Sequence, residues 1–134
     1  MLKQVSIYAE NKKGMLQEIT GVLAENGINI WGSVTNDSAE FGIIRMIVDD
    51  PAQASLILQK AGYLCKLSDV IGVEMADEVG ALHKLLEALK DSNINIDYIY
   101  LSFDRESGLP VQVLHTPDTA EVESCITARG FKVV

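Results

Sequence analysis

Two short segments carry the residue types best suited to holding a small charged molecule. Asn11-Lys12-Lys13-Gly14 and Asp77-Glu78-Val79-Gly80 have the same length, end on glycine and stand directly before a helical pattern. A helix N-terminus offers N–H groups without intrahelical partners and a partial positive charge, and both suit a carboxylate. Glycine lets a ligand approach the backbone closely. The side-chain oxygen of Asn11 or Asp77 can accept a hydrogen bond from an ammonium group. Recognition of a zwitterion is the chemistry these parts describe. The same spacing also reads as a plain cap or turn, since an Asx residue ahead of glycine is common in structural loops. Asn29 and Asn95 form a second pair, each set between two isoleucines. Asparagine is poor in strand interiors, so a polar role and a simple place on a solvated face both fit.

Acid–base and metal chemistry are poorly served. His83 follows Leu82 on a helical stretch and reads as surface, while His115 has no cysteine or carboxylate at metal-ligand spacing. Cys65 and Cys125 read as small buried hydrophobes, and Trp31 as a filler of an interface. No nucleophile elbow, P-loop or GxGxxG occurs. No catalytic residue, metal site or cofactor is expected.

The elements that must position the two loops come in two copies. At an offset of 66 residues Gly14-Met15-Leu16 meets Gly80-Ala81-Leu82, Leu23 meets Leu89, Ile28-Asn29-Ile30 meets Ile94-Asn95-Ile96, and Pro51 meets Pro117. Gly62-Tyr63 matches Gly130-Phe131 once a two-residue shift is allowed. The chain reads as two domains, 1–69 and 70–134. In each, a strand of alternating residues (Val5, Ile7, Ala9; Ile71, Val73, Met75) leads into the loop. A helix with one apolar stripe follows (Leu16, Ile19, Leu23; Leu82, Leu85, Leu89), closed by Asn26-Gly27 or Ser92-Asn93. The second strand begins at Ile28 or Ile94, and turns are expected over 36–39 and 104–108. Third strands follow over 41–48 and 109–114. Asp50-Pro51 and Thr116-Pro117 open the second helices. Tyr63 to Leu67 and Phe131 to Val134 close the copies, with Ser68-Asp69 as a short rigid linker.

This βαββαβ order predicts an α+β fold of two ferredoxin-like units, antiparallel sheets with both helices on one face. The other face is then bare, and the third strand, apolar on both sides at residues 43–48, predicts that a second surface, the sister copy or another chain, covers it or joins the sheet edge. An RNA-binding version of such a unit needs exposed aromatics and a basic field. A metallochaperone version needs CxxC in the first loop, and an acylphosphatase version an arginine there. The sequence offers none of these.

Composition agrees. The chain has 134 residues and a net charge of -8, with 48% hydrophobic and 22% charged residues. The charge argues against nucleic-acid and anionic-membrane partners, and the apolar content against disorder. Residues 1–69 hold 6 basic and 8 acidic side chains, and residues 70–134 hold 5 and 11. No signal peptide or membrane-spanning run is expected, and a soluble cytoplasmic protein is the expectation.

Asn11-x-x-Gly14-Met15-Leu16 through Gly27-Ile28-Asn29-Ile30, repeated as Asp77-x-x-Gly80-Ala81-Leu82 through Asn93-Ile94-Asn95-Ile96, resembles the ACT domain. The whole chain resembles a tandem ACT protein with no catalytic domain attached. The resemblance implies an amino-acid-binding regulatory module whose sheets pair side by side into eight strands. It also implies a ligand at the interface between domains. Exposed sheet faces and edges predict a homodimer, and a metabolic enzyme or transporter is the expected regulated partner. The resemblance places Asn11, Gly14, Met15, Leu16, Asn29 and Ile30 in one site, and Asp77, Gly80, Ala81, Leu82, Asn95 and Ile96 in the other. Copy one carries Asn11 where many family members have Asp, so tighter binding is expected at the loop holding Asp77. An assembly module that binds no ligand is the competing reading.

Overall fold

A computed structural model describes residues 1–10, 12–37 and 42–134. The elements run β1 (Leu2–Ala9), α1 (Met15–Glu25), β2 (Ile30–Asp37), β3 (Gly42–Val48), α2 (Pro51–Lys60), β4 (Leu64–Glu74), α3 (Ala81–Asp91), β5 (Tyr98–Phe103), β6 (Pro110–His115), α4 (Thr119–Ala128) and β7 (Lys132–Val133). They fall into two compact units, residues 3–68 and residues 69–134 together with Met1 and Leu2. The eight expected strands are seven, because the closing strand of one copy and the opening strand of the next are one element, β4. Ser68-Asp69 is therefore mid-strand and no linker.

In the first unit β1 pairs antiparallel with β3 (Ile7 opposite Ile44), and β3 with β2 (Ser33 opposite Met46). In the second, β6 lies between β4 (Ile71 opposite Leu114) and β5 (Ile99 opposite Leu114), while β7 flanks β4 on its other side. Alternation then divides the side chains between two faces. One face of the first unit packs Val5, Ile7, Met46 and Val48 against Ile19, Leu23, Ala54 and Leu58. The second packs Ile71, Val73 and Leu114 against Leu85, Leu89, Val122 and Ile126. The opposite faces are buried too. Gln4, Ser6 and Ile47 alternate with the first core, and Tyr100, Ser102, Val111 and Val113 with the second. Gln4 Nε2 donates to Ser6 Oγ at 3.0 Å on this face. Gly72 shows how tight this face is. A Cβ built there stands 2.6 Å from Leu2 Cδ1 and 2.9 Å from Val134 Cγ2.

Register explains the two-residue shift. Ser33 and Ile99 are equivalent at an offset of 66, but their strand partners Met46 and Leu114 differ by 68. The second β-hairpin is longer by two residues, and everything after it keeps the larger offset. Asp50, which caps α2 by accepting from Gln53 N at 3.1 Å, is matched by Asp118, which accepts from Glu121 N at 3.1 Å. The pairing of Pro51 with Pro117 is thus corrected. Pro51 opens α2, whereas Pro117 precedes the cap of α4. Strand β5 begins at Tyr98, so Ile94-Asn95-Ile96 lies before the strand, with both isoleucines packed on the core. The ends of α1 and α3 follow expectation. Gly27 (φ 73°) and Asn93 (φ 57°) take left-handed conformations, and the next amides close onto Leu23 O and Leu89 O.

Candidate functional site

The two β–α loops are alike bond for bond. Lys12 N donates to Glu10 O and Met15 N to Lys12 O; Glu78 N donates to Ala76 O and Ala81 N to Glu78 O. Gly14 (φ 84°) and Gly80 (φ 87°) cap α1 and α3 in the left-handed conformation, where an L side chain would be strained. Among the described residues neither helix has a side-chain cap, whereas α2 and α4 both do. Asp77 therefore does not act as the plain cap that its spacing allowed; Asn11 lies outside the described residues.

A groove of about 640 Å³ opens beside the first of these helix ends, lined by Ala9, Glu10, Lys12, Gly14, Met15, Leu16, Gln17, Thr20, Thr35, Gly42 and Ile44. Its counterpart in the second unit holds about 220 Å³, lined by Met75, Ala76, Asp77, Glu78, Ala81, Leu82, Leu101, Pro110 and Gln112. Leu16 and Leu82 belong to these walls. They are 45% and 40% exposed, and this corrects their placement in the apolar stripe: a first-turn residue stands at the mouth of the groove rather than over the core. Rim charge differs as well. Lys12 Nζ lies 4.0 Å from Glu10 Oε2, whereas Glu78 pairs with Lys84 at 4.0 Å and has Asp77 beside it.

The remaining candidates stand apart from the loops. Asn29 and Ile30 line a separate hollow of about 450 Å³ with Ile28, Gly21 and Ala24, and share only Gln17 and Thr20 with the loop groove. Asn95 and Ile96 line another, of about 390 Å³, with Leu86, Lys90 and Asn93. The Asn29 backbone is tied to Asp49, its N–H donating to Oδ1 at 3.0 Å while Asp49 N donates to its carbonyl at 3.1 Å. Gly14, Met15 and Leu16 are thus brought together, as are Asp77, Ala81 and Leu82. The sequence reading missed Ala9, Thr35, Gly42 and Ile44, which lie on three different strands.

Titratable groups gather elsewhere. Glu74, buried at the end of β4, accepts from Ser107 Oγ at 2.5 Å and pairs with Lys132 Nζ at 2.6 Å. Those two contacts hold its carboxyl below the ordinary carboxylate value against the opposing effect of burial, and Lys132 is raised in turn. Asp104 is lowered by accepting from the amides of Ser107 and Glu106. His115 Nδ1 lies 2.8 Å from Asp97 Oδ2 and its ring stacks on Tyr98, while His83 pairs with Glu87 at the surface. Among the described residues no three His, Cys, Asp or Glu side chains could hold a metal, and no helix is long and apolar enough to cross a membrane.

Residues 1–132 match the family described as the ACT domain pair. The chain belongs to the ACT family. Its fold is found again in a crystal structure of protein BT0572 from Bacteroides thetaiotaomicron, at 30% identity over 99% of this chain and 91% of that one, with a TM-score of 0.89. The regulatory subunit of aspartate kinase from Thermus thermophilus has 18% identity, covers 94% of this chain and 88% of its own, and superposes with a TM-score of 0.65. The same subunit from Thermus flavus gives 22% identity, 94% and 88% coverage, and a TM-score of 0.61. No curated protein matches the chain. The two units of this ACT pair share a backbone scaffold around the loop and differ in the side chains that fill it.

Proposed function

We propose that this ACT pair is a regulatory, non-catalytic module that binds a free amino acid and passes the signal to a metabolic enzyme or transporter. In this reading residues 1–69 and 70–134 are its two ACT domains, and the working form is a cytoplasmic homodimer. The observation that carries it is the contrast among the four helices. Helices α2 and α4 have aspartate caps, while α1 and α3 begin on a left-handed glycine with no side-chain cap, each beside a groove. A carboxylate at such an end meets the first-turn amides that follow Met15 or Ala81 and the positive end of the helix dipole, and the groove beside it takes the rest of the molecule.

Thermal unfolding with each of the twenty amino acids tests this. A ligand bound only by the native state at a hundredfold excess over its Kd adds about 2.7 kcal/mol and raises the midpoint. A flat response across the panel would end the amino-acid reading. It would favour a second one, an assembly module without ligand, which has its own support. The second unit exposes Val79, Leu82, Leu86, Leu101, Phe103 and Leu109, large apolar side chains suited to a protein partner.

A further inference from the structure

We infer that the two loops have divided their roles: the groove of the first unit takes one aliphatic amino acid, and that of the second unit is closed by its own side chains. The inference rests on the amino-acid reading above and adds which unit binds and what it prefers. It starts from equivalent floor positions. Ala9, Thr35 and Gly42 in the first unit are Met75, Leu101 and Pro110 in the second, as the strand registers require. Each exchange adds side-chain volume over the same backbone, and the groove falls from about 640 to about 220 Å³. The larger volume is in the range of small-molecule pockets, roughly 300–1,000 Å³, and the smaller one is below it.

Rim charge points the same way. Lys12 and Glu10 form a long, exposed pair at 4.0 Å, of the kind that contributes little by itself. An amino acid offers a carboxylate to Lys12 and to the uncapped end of α1, and an ammonium to Glu10, so it replaces that pair group for group. In the second unit Ala76 stands where Glu10 does, and Asp77 and Glu78 place negative charge where a carboxylate would arrive. The lining also sets the side chain. Ala9, Met15, Leu16, Gly42 and Ile44 are apolar, and among the described lining residues the charged groups are Glu10 and Lys12, which the ammonium and carboxylate of the ligand occupy. A leucine-, isoleucine- or methionine-like side chain fits that lining.

The test is isothermal titration of the full chain with leucine, isoleucine, methionine, lysine, aspartate and glycine. One aliphatic ligand per chain is expected. Thr35→Leu, at an exposed position, fills the groove and weakens binding about tenfold or more, a shift readily read as Kd. Ala9→Met does the same from the floor, with circular dichroism checking its fold, and Lys12→Glu weakens binding severalfold. Leu101→Thr leaves affinity unchanged. Two equal sites, a charged ligand preferred, or loss of binding in Asp77→Ala with retention in Thr35→Leu would overturn the division while sparing the amino-acid reading. Binding of none of the twenty would overturn both.

Discussion

The first and second units place the same glycine-ended loop on the same kind of helix, yet one loop borders a groove of about 640 Å³ and the other one of about 220 Å³. Among the described residues nothing in the loops' backbones accounts for this, since their hydrogen bonds and left-handed glycines correspond one for one. The difference comes from strand residues, Ala9 or Met75 just ahead of the loop and Thr35 and Gly42 or Leu101 and Pro110 distant from it in sequence. Duplicated scaffolds can thus hold a helix end in readiness while side chains on neighbouring strands decide whether anything fits beside it. Core positions changed less. Val5 and Ile71, Ile19 and Leu85, Leu23 and Leu89 and Leu58 and Ile126 keep their places and their apolar character.

If the two cores are equivalent, truncating matched residues should cost the same. Leu23→Ala and Leu89→Ala are each expected to lose about 3 kcal/mol in urea unfolding. Circular dichroism follows the whole chain, and the single tryptophan, Trp31, reports on the first unit. Costs differing by more than about 1.5 kcal/mol would break the equivalence, since truncation costs otherwise track the cavity left behind.

Next in size is Gly72→Ala. The added carbon meets Leu2, Val134 and Val111 at 2.6, 2.9 and 3.2 Å, and overpacking of this kind costs about 1–3 kcal/mol. The matched residue of the first unit is Ser6, so this crowding is peculiar to the second. Combining Gly72→Ala with Leu2→Ala should recover part of the loss; strictly additive costs would show that Leu2 is not the obstacle.

The caps give a smaller, paired effect. Asp50→Ala and Asp118→Ala should each cost about 1 kcal/mol. Gly14→Ala and Gly80→Ala should cost about 1 kcal/mol through backbone strain alone, as neither glycine has a neighbour within 4 Å of its added carbon. Four similar losses would sharpen the picture of one scaffold used twice.

The least in magnitude is a pH effect confined to the second unit, because Tyr8 stands where Glu74 does. Lowered in the folded state, Glu74 contributes stability above its ordinary value of 4.5 that is lost as pH falls through the folded value. Lys132, raised, contributes stability below its ordinary value of 10.5 that is lost as pH rises through the folded one. Glu74→Gln should therefore be less stable than the parent at pH 7 and approach it near pH 3. A gap that stays constant between those conditions would deny the ion pair its part.

Much of this was legible in the sequence because it is local. The glycine loops, the helix stripes and the left-handed stops at Gly27 and Asn93 each depend on residues within one or two turns. The longer second hairpin was not, because its effect appears only in strand register, and so Pro117 was matched to Pro51 although Asp118 supplies the cap. Ser68-Asp69 looked like a linker because both residues favour turns, but the strands on either side are continuous through it. The groove floors were hidden for a different reason. Ala9, Thr35 and Gly42 meet only after three strands pair, although comparing their sizes with Met75, Leu101 and Pro110 would have given a signal.

Strand β4 sets a limit on how this molecule can be taken apart. Its first half belongs to one unit and its second half to the other, while Met1 and Leu2 are grouped with the far unit. The segment that was copied and the segment that folds are therefore not the same piece of chain. A gene cut at the repeat boundary would sever a strand midway and hand the first half's own N-terminal residues to the wrong fragment.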